Sequence, residues 1–315
     1  MGGERGMPAL RGRHFVDSLD FSPAEYDALV SLADELRRSP ARYARALLGK
    51  LMATLFYEPS TRTRLSFEAA MLRLGGQVIS VADPQTSSVA KGESLADTIR
   101  TVGGYADLIV MRHPKEGAAK LAALYSPVPL INGGDGAREH PTQTLTDLYT
   151  IRAFKGRLSG LTVAFCGDLR YGRTVHSLIR ALARYEGTKF LLISPEELRL
   201  PEAVREEVRA LNPEAKPKET TRMEEGLALA DVLYMTRVQK ERFPGEDEYL
   251  RLRDAYVLTP EKLELVRDAI IMHPLPRVTE ISYGVDEDQR AVYFQQARFG
   301  LLVRMALILA LLGVP

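Results

Sequence analysis

The chain has 315 residues, with 42 Lys and Arg against 41 Asp and Glu, 45% hydrophobic and 26% charged residues, and one cysteine. That length suits about two domains of ~100–200 residues, and the composition excludes a disordered chain. A net charge of +1 lacks the basic excess of a nucleic-acid binder, and a single thiol excludes an intrachain disulfide and a Cys-rich zinc site. The longest apolar run, 305–315, is preceded by Arg304 and is shorter than the ~20 residues of a membrane span. The first residues, MGGERGMPALRGRHF, lack the apolar core of a signal peptide, so a cytoplasmic location is expected.

In chain order, 51–56, 77–81, 108–111 and 128–131 read as short buried strands, with helices at 62–74, 94–103 and 117–124 between them. A helix at 141–153 follows, and FKGRLSG interrupts the periodicity at 154–160. The pattern then repeats, with strands at 162–166, 189–193, 232–235 and 269–272 and helices at 172–185, 202–211 and 260–266. Short apolar strands alternating with helices imply parallel sheets covered on both faces. The expected fold is therefore two open, mostly parallel α/β domains, 1–153 and 154–291. The long apolar pattern at 292–315 is expected to be a C-terminal helix crossing back to complete the first domain. In such sheets ligands bind at the carboxyl ends of the strands, so an interdomain active site is expected.

Five segments carry chemistry. In FYEPSTRTRLSFE (56–68) a strand ends, Pro59 turns the chain, and Ser60 or Thr61 can cap the next helix. Arg62 and Arg64 lie in its first turn, the wrong end of the helix dipole for a cation unless an anion binds there. Backbone N–H groups with Ser60, Thr61, Arg62 and Thr63 would form a phosphate cradle; the alternative is a capped surface helix with solvated arginines. In HPTQTLTD (140–147), His140 ends a loop and Gln143 follows one turn later, a candidate carbonyl-orienting pair, although a lone His is more often structural. CGDLRYGRTVHS (166–177) repeats the strand-to-helix geometry with Arg173 at the helix start. Its Gly167, Gly172, Arg173 and Thr174 mimic a Walker A loop with Arg in place of Lys, but no strand ends in a magnesium-holding Asp. A capped helix fits this segment equally well. Cys166 reads as a core thiol.

MTRVQKE (235–241) places Arg237 and Gln239 just beyond a strand, and MHPLPR (272–277) forms a rigid loop in which His273 reads as structural. Arg62, Arg112, Arg173 and Arg237 all fall at the carboxyl ends of expected strands. Four such placements favour a multiply anionic ligand set over four accidents. The acidic residues form no matching cluster, so neither a divalent metal nor another cofactor is expected.

Together these segments resemble the catalytic chains of aspartate carbamoyltransferases, within the aspartate/ornithine carbamoyltransferase superfamily. FYEPSTRTRLSFE, KGESLADT, VMRHP, HPTQTLTDL, GDLRYGRTVHS, YMTRVQKER and HPLPR occur in that family's order and spacing. The resemblance implies transfer of a carbamoyl group from carbamoyl phosphate to L-aspartate. It implies that Ser60, Thr61, Arg62 and Thr63 hold carbamoyl phosphate, with Arg112 touching phosphate and carbonyl oxygen, His140 polarising the carbonyl, and Gln143 binding the carbamoyl amino group. Arg173, Arg237 and Gln239 match the residues holding the aspartate carboxylates, and Leu275 and Pro276 the loop whose carbonyls receive the amine. Ser87 and Lys91 match a loop inserted into a neighbouring subunit's site, which implies a homotrimer. A regulatory chain or other pathway enzymes are candidate partners. Ala90 and Arg170 stand where some members carry Lys. Within the superfamily, ornithine carbamoyltransferases are the competing reading. They carry Cys in the HPLP loop and an acidic residue with Ser-Met-Gly, whereas this chain has His273-Pro274-Leu275-Pro276 and Met235-Thr236-Arg237. A P-loop hydrolase and a non-enzymatic anion binder are the readings from other classes.

Overall fold

Parallel pairing accounts for every strand of two separate sheets. The structure is a computed structural model that describes residues 10–81, 92–238, 245–253 and 256–314. It divides into two units, Met1–Tyr149 with Phe299–Pro315, and Thr150–Arg298. These divisions fall inside two helices rather than at the 153/154 and 291/292 breaks expected from periodicity.

In the first unit the elements are α1 (Pro23–Arg38), α2 (Pro40–Tyr43), β1 (Leu51–Phe56), α3 (Thr61–Arg73), β2 (Gln77–Val81), α4 (Leu95–Gly103), β3 (Leu108–His113), α5 (Ala118–Tyr125), β4 (Leu130–Asp135) and the first part of α6 (Pro141–Lys155). The strand order is β2-β1-β3-β4, all parallel. Leu55, Ile99, Ile109, Met111, Ala119 and Leu130 form its core. The order reverses between β1 and β3, so the loops leaving those two strands flank a switch point, where ligands bind in open α/β sheets.

The second unit contains β5 (Thr162–Cys166), α7 (Arg173–Ala183), β6 (Lys189–Ile193), α8 (Glu202–Leu211), β7 (Lys218–Thr220), α9 (Met223–Leu227), β8 (Val232–Met235), α10 (Glu246–Arg253), β9 (Ile270–Met272) and the start of α11 (Tyr293–Leu312). Its parallel order is β7-β6-β5-β8-β9, with the reversal between β5 and β8. Ala164, Ile193, Leu233, Met235 and Ile271 lie in its core.

Three expectations need correction. The fourth strand is shifted: it runs through Asn132, Gly133 and Gly134, which the Gly-rich composition disguised as loop. Gly134 has φ +118, a backbone conformation that favours glycine. The segment at 260–266 is a short 3-10 turn, Glu261–Leu265, rather than an α-helix. There Arg290 Nη1 donates to the carbonyls of Leu263, Val266 and Arg267, occupying acceptors a continuing helix would use. Finally, α11 is long and apolar enough to cross a membrane by length and composition, although 61% of its most apolar stretch is buried within the protein. Val303 and the run Ala306–Leu309 are fully buried. Arg304 sits with its guanidinium 5.1 Å from the Phe67 ring centre, and burial lowers its pKa to about 10 against the opposing pull of Asp147. From Phe299 onward the helix belongs to the first unit, where the Leu311 carbonyl accepts from Gly12 N–H at 2.9 Å.

Candidate active-site residues in the two units

At the first switch point, Phe56 pairs with Arg112 across β1 and β3. The Arg112 side chain, 12% exposed, donates from Nε to Glu58 Oε2 at 3.0 Å and from Nη1 to Ser60 Oγ at 3.3 Å. Ser60 holds the N-cap position of α3 in extended backbone, yet its side chain makes no cap hydrogen bond. Its hydroxyl serves Arg112 instead of the helix, which corrects the expected cap. The start of α3, with its partial positive charge, thus lacks a side-chain cap beside a guanidinium, an arrangement suited to an anion. Thr61 and Arg62 are exposed there, and Thr63 is buried against β4.

His140 is buried just ahead of α6, with Thr142 Oγ1 3.4 Å from its Nδ1. Gln143 donates from Nε2 to the buried Asp147 carboxylate at 2.8 Å. A carboxylate only accepts, so this bond fixes the amide and directs Oε1 away as an acceptor. Asn132 and Asp135 hold the loop between β4 and α6. Asn132 Nδ2 donates to the Val16 carbonyl at 3.0 Å and to Asp135 Oδ1 at 2.9 Å, and Asp135 Oδ2 accepts from Gly117 N–H at 2.9 Å. Sequence reasoning singled out neither these two residues, which lie within β4, nor Glu58, which follows β1; their signal was polar side chains toward the carboxyl ends of strands. A cavity of about 590 Å³ lined by Tyr57, Glu93, Leu95, His113, Lys115 and Leu121 lies in the same unit, and none of the expected site residues lines it. Among the described residues no group of three His, Cys, Asp or Glu side chains is placed to hold a metal.

In the second unit, Cys166 pairs with Met235, and Tyr234 with Met272. The segments carrying Arg173, Arg237, Leu275 and Pro276 therefore leave the carboxyl side of three neighbouring strands. The loop at 167–172 argues against a nucleotide cradle. Gly167 N–H bonds the Ile193 carbonyl at 3.0 Å and Leu169 N–H the Leu198 carbonyl at 3.1 Å. Asp168 Oδ1 accepts from Arg170 N–H at 3.1 Å and Tyr171 N–H at 2.9 Å. Donors that a Walker A loop would aim at phosphate are thus engaged internally. Gly167 has φ +121, and a Cβ there would stand 2.3 Å from the Thr236 carbonyl oxygen. That close approach requires glycine for packing. Cys166 is fully buried and burial pushes its thiol pKa far up, consistent with a core thiol.

The loop after β9 is tied down at its start. His273 N–H donates to Gln296 Oε1 at 3.0 Å, and His273 Nδ1 accepts from Leu275 N–H at 2.8 Å. Arg277 pairs with both Asp286 oxygens and lies 4.6 Å from the Tyr283 ring centre. Ser87, Lys91 and Gln239 lie outside the described residues.

Comparison with known proteins also divides the chain into two domains. Residues 13–153 match the model of the aspartate/ornithine carbamoyltransferase carbamoyl-P binding domain, and residues 159–311 match that of the Asp/Orn binding domain. The chain belongs to the aspartate/ornithine carbamoyltransferase family. It is 58% identical over 306 residues to an aspartate carbamoyltransferase catalytic subunit of Clostridium botulinum, covering 97% of this chain and 99% of that one. A catalytic subunit of Clostridium perfringens is 58% identical over 305 residues, with 96% and 99% covered. Among solved structures, aspartate transcarbamoylase of Trypanosoma cruzi with carbamoyl phosphate and aspartate superposes with a TM-score of 0.92 at 40% identity, covering 97% and 98% of the two chains. The catalytic subunit of M. jannaschii aspartate transcarbamoylase gives 0.87 at 51% identity, covering 95% and 97%.

Proposed function

We propose that this chain transfers the carbamoyl group of carbamoyl phosphate to the amine of L-aspartate, giving N-carbamoyl-L-aspartate and phosphate, an early step of pyrimidine synthesis. The observation that carries the reading is the Arg112–Ser60 contact at an α3 start without a side-chain cap. Close relatives named for the aspartate reaction support it over the ornithine alternative.

Ser60, Thr61, Arg62 and Thr63 cradle the phosphate with the helix dipole behind them. Arg112, held by Glu58, reaches both phosphate and carbonyl oxygen. The aspartate amine attacks the carbonyl carbon, and negative charge grows on the carbonyl oxygen as a tetrahedral intermediate forms. Thr63, Arg112 and His140 stabilise that charge, each such donor typically contributing ~2.7–4 kcal/mol. Gln143 Oε1 accepts from the carbamoyl –NH2, an orientation supported by the Nε2 bond to Asp147. The departing phosphate takes the amine proton, so the chemistry requires no protein nucleophile, metal or cofactor, and positioning of the two substrates supplies much of the rate. Arg173, Arg237 and Gln239 hold the two carboxylates, and the Leu275 and Pro276 carbonyls receive the amine. Guanidinium groups suit a second carboxylate and repel the ammonium of ornithine.

The decisive experiment supplies carbamoyl phosphate with L-aspartate or L-ornithine and quantifies the carbamoylated product. Carbamoyl aspartate is expected; citrulline alone would overturn the second-substrate half, and no product from either would overturn the reaction.

The same reading makes the protein a cytoplasmic homotrimer with Ser87 and Lys91 serving a neighbour's site. Exposed Leu65 and Leu72, two turns apart on α3, and Ile79 on the edge strand β2 support such an assembly face. Mixing inactive Lys91→Ala with inactive Arg62→Ala chains under exchange conditions should restore activity; no recovery would remove the shared site.

A further inference from the structure

The proposed reaction gives Leu275 a task but leaves the buried pair behind it unused. His273 and Glu280 are 1% and 4% exposed, and His273 Nε2 lies 2.7 Å from Glu280 Oε1. The other carboxylate oxygen, Oε2, accepts from Val278 N–H at 3.1 Å and Thr279 N–H at 3.0 Å. Between these anchors Leu275 adopts φ +52, the left-handed region that a branched side chain rarely occupies. Leu275 N–H, donating to His273 Nδ1, is the contact that ties this residue back to the pair.

Hydrogen-bond chemistry admits one protonation state of this ring. A backbone N–H can only donate, so Nδ1 must carry a bare lone pair. A carboxylate can only accept, so Nε2 must carry the proton. The opposite tautomer would set two N–H groups against each other at Nδ1, and so would an imidazolium; either would push Leu275 out of place. Burial lowers the His273 pKa, with Glu280 opposing and Arg237 and Arg277 assisting, which keeps the ring neutral.

We propose that Glu280 locks His273 in the Nε2-protonated tautomer, and that this lock makes His273 a positioning residue holding the Leu275 carbonyl for the incoming amine. The proposal rests on the carbamoyl-transfer reading of the same loop. It assigns the pair a role in the reaction beyond filling the core of the second unit.

Glu280→Gln separates the two roles. The amide is of the same size, and its Oε1 can still accept from Val278 and Thr279. Its Nε2 would face the ring as a donor, favouring the wrong tautomer, as amide replacement of a histidine-orienting carboxylate does in catalytic triads. The expected result is a fall in kcat of at least about tenfold, with the dissociation constant for carbamoyl phosphate unchanged. In ¹⁵N-histidine NMR the protonated and bare ring nitrogens of His273 should exchange places. A second pair of variants covers a folding failure. His273→Asn keeps an acceptor at the Nδ1 position, whereas His273→Gln keeps a group at the Nε2 position. The Asn chain should retain at least about tenfold more kcat than the Gln chain.

Wild-type kcat in Glu280→Gln, or equal losses in the two His273 variants, would overturn the proposal. So would a wild-type ¹⁵N spectrum with the proton on Nδ1 or on both nitrogens. The wild-type product assay keeps the two claims apart. A wild type making no carbamoyl aspartate sinks the reaction reading, whereas an active wild type with an indifferent Glu280→Gln sinks the lock alone.

Discussion

In the first unit the loop after β1 runs into α3, and Ser60 gives its hydroxyl to Arg112 rather than to the helix. In the second unit the loop after β5 runs into α7 through the same strand–loop–helix topology, yet its N–H groups are engaged by Ile193, Leu198 and Asp168. Both loops sit at reversals of strand order. Neither helix start has a side-chain cap, so the difference lies in the loops, and on the proposed function the first, where Ser60 meets Arg112, takes phosphate. The other closes on itself, and on the proposed function recognition there falls to Arg173 and Arg237, whose planar guanidinium groups match carboxylates. On that reading, topology says where a ligand binds, and the engagement of backbone donors says which kind.

The strongest way to break this comparison is at Arg112. Arg112→Ala should lower kcat ~10²–10³-fold, the size of losing an oxyanion donor. It also leaves Glu58 without its guanidinium, so Arg112→Lys should recover only part of the activity; steady-state kinetics of both variants check this. Arg237→Ala comes next, and should raise KM for aspartate ~10-fold or more while leaving that for carbamoyl phosphate within about twofold. Equal effects on both would erase the division of labour.

Smaller effects sharpen the reading of the second unit. His273 has its pKa lowered by burial. Below the ordinary value near 6.5 the unfolded chain takes up a proton that the folded one refuses, so stability should fall as pH drops through that range. The slope is at most ~1.4 kcal/mol per pH unit for one proton. His14 and His113 are shifted in the same direction by partial burial, so the readout is the part of the thermal-melt slope that His273→Asn removes. Smallest of all, alkylating reagents at pH 8 should leave activity unchanged, because Cys166 is buried and its thiol is held protonated.

Much of this was legible in the sequence because apolar runs in parallel sheets are buried on both faces. The strands at 51–56, 77–81, 162–166, 189–193 and 232–235 coincide with β1, β2, β5, β6 and β8. β4 was displaced because glycines weaken the strand signal, and the positive φ of Gly134 is visible only in the fold. α1 was overlooked although Ser22, Pro23 and Glu25 spell a capping box. Its buried Tyr26, Leu29, Val30, Ala33 and Leu36 form a regular apolar stripe. The arginines at strand ends stood out by charge placement. Glu58 did not, because it meets Arg112 only through folding, whereas Asp147, four residues after Gln143 on α6, was legible as a local helical pair.

The central claim is that phosphate recognition resides in the first unit and carboxylate recognition in the second. Calorimetric titration of carbamoyl phosphate into the wild type, an Arg62→Ala/Arg112→Ala chain and an Arg173→Ala/Arg237→Ala chain tests it most directly. The account predicts that binding is lost in the first variant and matches wild type in the second. Equal loss in both, or binding that survives in the first, would contradict it.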